Sequence, residues 1–173
     1  QDNILENSTT PANSKFYQYN KLNQLVEFSS NDQTASYTYN ADGLRNGKTV
    51  GGETTRYYYN GALVSNESKN GVESAKNLIG QNSIIGRKVG SESNYFVKNA
   101  HGDVTKLVGA SGSITAEYDY DVWGSNLEAS GSFDNPIRYA GEYYDLETNN
   151  IYLRSRYYNP STGRFTQEDF AQA

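Results

Sequence analysis

A tyrosine followed by asparagine recurs every 20 residues near the start of this chain, at Tyr19-Asn20, Tyr39-Asn40 and Tyr59-Asn60. Around these pairs the stretches "YQYNKLNQL" (17–25), "YTYNADGLR" (37–45) and "YYYNGAL" (57–63) align. A later copy, "YDYDVWG" (118–124), sets Tyr120 before Asp121 and Gly124. Another, "YFVKNAHGD" (95–103), keeps Asn99 and Gly102 but has Lys98 where the tyrosine stood. The pattern is Tyr-x-Tyr-[Asn/Asp]-x-x-Gly, and it restricts the chain to stacked copies of one small unit. Tyr37 and Tyr39 are two apart and share one face of a strand. Asn40 can bond its side chain to the turn backbone, and Gly43 supplies the positive φ that a turn with a bulge requires. Leu44 then restarts the chain in the opposite direction. Each unit reads as strand, tight turn, strand, and about 20 residues hold two strands with their connections.

Other turn signals support this reading. Asn46-Gly47, Asn60-Gly61 and Asn70-Gly71 are strong turn dipeptides, and Gly51-Gly52 and "ASGS" (110–113) read as tips between units. The stretch "VESAKNLIG" (72–80) is the only moderately helix-friendly one, and it is short and hemmed by Asn and Gly. The 16 Tyr, 16 Gly and 3 Pro suit a solvated antiparallel sheet rather than a disordered chain, because disordered chains are poor in aromatics. A length of 173 residues is enough for one domain with a core. The absence of Met predicts a piece of a longer protein, and the absence of Cys excludes disulfides and thiolate metal sites. A formal charge of −5 argues against a phosphate-binding surface. No apolar run reaches membrane-spanning length.

The stretch "NPIRYAGEYYDLETNNIYLRSRYYNPSTGRF" (135–165) repeats the hairpin logic with longer turns. Asp145 opens one turn and Asn159 the next, and Pro160 presets φ at the second position of its turn. Gly163 sits at the expected left-handed position, and Asn149 occupies the matching place in the first turn. Between the turns, Tyr152, Arg154, Arg156 and Tyr158 alternate onto one face. Ile151, Leu153, Ser155 and Tyr157 take the other.

These residues carry a resemblance. "YNADG", "YDYDVWG" and "NAHGDVTKLV" resemble the YD repeats of Rhs proteins, which also occur in teneurins and in the C components of bacterial Tc toxins. "NPIRYAGEYYDLETNNIYLRSRYYNPSTGRFTQED" resembles the Rhs repeat-associated core that closes such arrays. The core motif would comprise Arg138, Gly141, Tyr144, Asp145, Tyr152, Arg154, Arg156, Tyr157, Tyr158, Pro160, Gly163, Arg164 and Phe165. The resemblance implies an all-β protein whose antiparallel hairpins form a curved spiral sheet, part of a β-shell, with little or no helix. Residues 1–14 would be an N-terminal linker or edge strand, 15–134 the YD-repeat hairpins and 135–173 the core. In bacterial relatives such a shell encloses a variable C-terminal toxin, and the proteins are secreted or surface-attached. Partners implied are the remainder of the shell and that passenger. An aspartyl self-cleavage motif follows the core in the family, and Asp169 matches its first Asp loosely. Here Phe170 stands where the family has Pro, and the second Asp is missing.

Candidate chemistry is sparse. Glu168 and Asp169 are the pair to consider for aspartyl work, but as neighbours on a strand they face opposite ways. His101, the one histidine, reads as a turn residue, and Asp103 and Asp119 could help bind a cation, but nothing has EF-hand spacing, which argues against calcium. Arg138, Arg154, Arg156 and Arg164 are expected to pair with Glu142, Asp145 and Glu147 and to lie on Tyr rings. Trp123, inside a turn, is expected to pack onto the sheet. No cofactor and no metal are expected, and neither nucleic acid nor membrane insertion. The function expected is non-catalytic encapsulation. Two alternatives stand beside it: an adhesion module meeting glycan or a cell-surface protein through exposed Tyr and Arg, and an incomplete self-cleaving core. Open strand edges invite a dimer.

Overall fold

The computed structural model describes residues 14–167. Twelve strands run as one antiparallel meander in chain order. They are β1 Phe16–Tyr19, β2 Leu25–Ser29, β3 Thr34–Tyr39, β4 Arg45–Val50, β5 Glu53–Asn60 and β6 Leu63–Lys69, then β7 Val72–Ile79, β8 Ile84–Val89, β9 Glu92–Lys98, β10 Val104–Gly109, β11 Ile114–Tyr120 and β12 Asn126–Ser130. A second sheet of four short strands follows: β13 Tyr143–Asp145, β14 Asn150–Tyr152, β15 Tyr157–Asn159 and β16 Arg164–Phe165. A single 3₁₀ turn, Tyr139–Gly141, precedes it. The stretch 72–80 is strand β7 with its exit turn, so the fold is all-β.

The repeat turns are built from one set of hydrogen bonds. Asn20 Oδ1 accepts from the backbone N–H groups of Leu22 and Gln24 at 3.0 and 2.9 Å. Asn40 does the same for Asp42 and Leu44, Asn99 for His101 and Asp103, and Asp121 for Trp123 and Ser125. Gly43, Gly102 and Gly124 have φ of +78, +97 and +88°, and Asn23 takes the equivalent place in the first copy at +55°. The turn at 60–63 differs. Asn60 is the last residue of β5 and pairs with Leu63 around a two-residue loop, with Gly61 at φ +61°.

The tyrosine of the repeat has a mechanical task. The hairpins built on the repeat turns carry a bulge beside the turn, where Tyr19 faces Leu25, Tyr39 faces Arg45 and Lys98 faces Val104. A bulge leaves a backbone group outside the regular ladder. The Tyr39 hydroxyl donates to the Leu25 carbonyl at 2.7 Å, Tyr59 to Arg45 at 2.7 Å, and Tyr120 to Val104 at 2.7 Å. Asn77 does this for Val64 at 3.0 Å. These four units thus each satisfy the bulge of the unit before, which couples neighbours across the repeat. Tyr39→Phe or Tyr59→Phe leaves a half-buried carbonyl without its donor. Each is expected to cost about 1–2 kcal/mol in urea unfolding, whereas Tyr58→Phe, on the exposed face, should cost much less.

The inner face of the long sheet packs on the four-stranded sheet. Leu25, Phe28, Tyr37, Tyr57, Val104 and Leu107 from the repeats meet Ile137, Tyr143, Tyr152 and Tyr157 in one core. The long sheet curls around this plug. Tyr19 of the first strand donates to the carbonyl of Thr166 at 3.4 Å, while Tyr158 donates to the carbonyl of Trp123, in the last repeat turn, at 2.9 Å. Among the described residues the curl does not close, and β1 and β12 each have one neighbour.

Three sequence expectations need correction. Asn46-Gly47 is not a turn but lies inside β4, where Gly47 pairs with Thr38 and Arg56. A Cβ there would stand 2.5 Å from Thr38 Oγ1, so glycine serves close packing of side chains rather than chain reversal. The alternation proposed for 151–158 is broken. Arg154 has φ +66°, and Leu153 N–H bonds to the Arg156 carbonyl at 2.8 Å, so a tight reversal separates β14 from β15. Tyr152 and Tyr157 therefore both face inward, with ring centroids 5.2 Å apart. Trp123 does not pack onto the sheet. It is 58% exposed and lies along the Gly163 turn of the plug.

Candidate functional site

The densest chemistry lies where the plug meets the sheet. Arg45 from β4 and Asp145 from β13 are each 1% exposed and form a two-pronged ion pair. Lys48 Nζ joins Asp145 at 2.9 Å and Glu147 at 3.2 Å. The Tyr37 hydroxyl donates to the other Glu147 oxygen at 2.8 Å. The Arg45 guanidinium is ringed by Tyr37, Tyr57, Tyr152 and Tyr157, the closest centroid being Tyr152 at 4.4 Å. A second node pairs Arg87 of β8 with Glu67 of β6 at 2.6 and 3.0 Å. Tyr143 of the plug donates to Glu67 at 2.7 Å and accepts from Asn77 at 2.7 Å. Arg87 Nε also donates to the carbonyl of Asp134 at 2.9 Å.

These contacts fix the protonation states. Burial works to raise the Asp145 carboxyl, but Arg45 and Lys48 outweigh it and hold it below the ordinary carboxylate range. Burial likewise opposes Glu67, and Arg87 with Tyr143 holds it low. Burial pushes the hydroxyls of Tyr143 and Tyr157 well above the usual phenol value. The cluster therefore contains stable anions, stable cations and neutral phenols. An aspartyl pair needs one carboxyl that keeps its proton, whereas Asp145 and Glu67 are both held ionised by their cations. What they do supply is a latch of charge-assisted bonds that fix register.

The remaining sequence candidates are dispersed. Arg154 pairs with Glu142 at 2.6 Å, as the cross-strand expectation had it, while Asp145 and Glu147 take their cations from β4 instead. Arg138 lies over Tyr118 and Tyr144, and Arg156 lies 3.8 Å from the Phe165 centroid. Arg164 is exposed in β16, opposite Asn159. Gly141 and Gly163 have φ of +69 and +64°, and Asn149 has +58°. Asn159, ahead of Pro160, caps Ser161 at 3.0 Å. Tyr144 bonds to Asn149 at 2.8 Å. His101 Nδ1 lies 2.8 Å from Asp103 Oδ1, which also accepts from the backbone of Ala140 at 2.7 Å. That bond ties a repeat turn to the plug. Among the described residues no group of three or more His, Asp or Glu is arranged to hold a metal ion. Glu168 and Asp169 lie outside the described residues. A cleft of about 280 Å³ opens between plug and sheet, edged by Lys48, Lys69, Arg87, Glu53 and Glu147.

Arg45, Lys48, Glu67, Asn77 and Arg87 were not foreseen as linked residues. One signal was present for Arg45. It stands where other copies of the repeat place Leu25 and Val104, and a charge at a buried apolar position demands a distant partner.

A family model described as Teneurin YD-shell matches residues 80–173, more than half of the chain. The chain belongs to the YD-shell family. The tRNA3(Ser)-specific nuclease WapA of Bacillus spizizenii is 37% identical over 142 residues, 78% of this chain and 6% of that protein. The tRNA nuclease WapA of Bacillus subtilis is 35% identical over the same length. This YD-shell chain thus spans about one-sixteenth of the curated relatives it matches. The Photorhabdus luminescens Tc holotoxin pore contains a chain with TM-score 0.74 and 18% identity, covering 96% of this chain and 9% of that one. The TcdB2-TccC3-Cdc42 structure gives TM-score 0.71 at 18% identity, covering 91% and 9%. At such identities these two establish the YD-shell fold. Among the described residues no helix is long and apolar enough to cross a membrane.

Proposed function

We propose that this chain is a non-catalytic stretch of wall in a secreted or surface-displayed toxin, with residues 15–134 as YD-repeat wall and 135–173 as the core that closes it. The shell would enclose a passenger that follows on the same polypeptide. The observation that carries this reading is the plug itself. A four-stranded sheet is seated against the inner face of a curled wall and held by two buried charge nodes rather than by a substrate site. The wall acts by exclusion, since paired strands leave neither solvent nor protease a path through the sheet. The WapA relatives, named as nucleases, suggest the passenger class.

The test is protease protection in the longer parent polypeptide. The passenger segment should survive limited proteolysis in the native protein. It should be cut at least tenfold faster in Asp145→Ala, where the plug is unlatched. Equal cutting in both proteins, with the passenger digested from the first time point, would overturn the reading.

A further inference from the structure

The long sheet ends in a strand that no other described residues cover on its far side. All five residues of β12 are exposed, whereas each of β2 to β11 buries at least one. With β11 as its one neighbour, β12 presents a row of unpaired backbone N–H and C=O groups on its far side. Proteins usually blunt such an edge with lysine, proline or a bulge. The sequence "NLEAS" has neither Lys nor Pro, and its bulge falls in the ladder to β11. Large apolar side chains gather beside it: Val122 is 84% exposed, Trp123 58% and Leu127 61%.

The outer face adds a charge that selects the partner. Asp119 of β11 stands directly opposite Glu128 of β12. Like charges in that position repel. Elsewhere on the sheet Glu117 has Lys106, Glu53 has Lys69 at 3.3 Å and Glu73 has Lys76 at 3.4 Å, and Glu27 and Glu92, which make no ion pair among the described residues, face Gln18, Ser36 and Val89 rather than another acid. Among the described residues neither Asp119 nor Glu128 makes an ion pair. A second copy of β12 is a poor occupant, because antiparallel pairing centred on this strand sets Glu128 against its own counterpart.

We propose that the free edge of β12 is a strand-docking site for a separate partner polypeptide, which adds in extended form with Lys or Arg opposite Glu128. Main-chain bonds along the edge supply affinity, and the side chain facing Glu128 supplies selectivity. Alternate apolar residues of the incoming strand cover Leu127 and its neighbours.

Two nine-residue peptides of alternating Thr and Val, one with a central Lys and one with a central Glu, test this directly. Backbone amide shifts report the location of binding, and Trp123 fluorescence reports affinity. The Lys peptide should bind about five- to tenfold more tightly than the Glu peptide at low salt. The difference should vanish at 1 M salt, and the preference should reverse in Glu128→Lys. Glu128→Pro and Ala129→Pro, both in the regular part of the ladder beyond the bulge at Leu127, remove backbone donors on opposite sides of the strand, so one of them faces the free edge and should abolish binding while the rest of the amide spectrum stays native. Equal affinity for the two peptides, shifts centred away from residues 126–130, or undiminished binding by both proline variants would overturn the proposal. The passenger-protection experiment does not involve this edge, so either reading can fail without the other.

Discussion

Asp145→Ala is expected to lower the melting temperature by about 6–20 °C. The Arg45–Asp145 pair is removed from water, with both partners 1% exposed. Deleting one member of such a pair strands the other as an uncompensated buried charge, which costs about 3–5 kcal/mol. In a chain of this size each kcal/mol moves the midpoint by about 2–4 °C. Glu147 softens the loss only in part, because it keeps its bond to Lys48 while two cations, Arg45 and Lys48, are left beside one carboxylate. The double variant Arg45→Met with Asp145→Leu separates charge from packing. Replacing both partners by apolar groups of similar volume should recover most of the lost stability. A shift below about 3 °C for Asp145→Ala would mean that the plug is held by apolar packing alone.

Acid should release the plug in a defined window. Asp145 and Glu67 have folded-state carboxyl pKa values below their unfolded ones. Both are ionised in either state above about pH 5, so their full contribution is present there. As the pH falls below about 4 the unfolded chain takes up protons first, and stability drops until the folded carboxyls also titrate. Each tenfold difference in proton affinity between the two states is worth about 1.4 kcal/mol. Glu142 works the other way. Burial raises its carboxyl despite Arg154, so its cost is present at neutral pH and is relieved by acid. Four carboxyls held low (Asp145, Glu67, Asp103 and Asp121) against one raised predict a net loss, with the two buried ones contributing most. Calorimetry from pH 7 to pH 2 should show a flat midpoint down to about pH 5 and a steep fall below 4. The fall should be much shallower in Asp145→Asn with Glu67→Gln. An equally steep fall in that double variant would place the acid sensitivity elsewhere, for instance at Asp103, which also titrates low.

Much of this protein was legible because its turns are local. Asn40 bonds to Asp42 and Leu44, within four residues, and Gly43 takes its positive φ inside the same loop. Such contacts depend on residue type and spacing, so the copies at 20, 99 and 121 are readable in the same way. Hairpin order and the all-β class follow from them. Asn46-Gly47 shows where the local rule fails. A turn dipeptide was overridden because Thr38 and Arg56 pair across it from both neighbouring strands. The residues 153–156 fail in the opposite sense, since an alternating pattern conceals a reversal that lets Tyr152 and Tyr157 both face the core.

The sequence by itself determined the repeat, the turn chemistry and the family. Only the tertiary structure decided which charges meet, because Arg45 and Asp145 lie 100 residues apart and share no period. It also decided what the repeated tyrosines do, since the hydroxyls of Tyr39, Tyr59 and Tyr120 find carbonyls in the preceding hairpin and that of Tyr19 finds one in the plug. The physical reason is common to both. A turn closes on its own neighbours, whereas a buried charge or a bulge carbonyl is satisfied by whatever the curl of the sheet brings beside it.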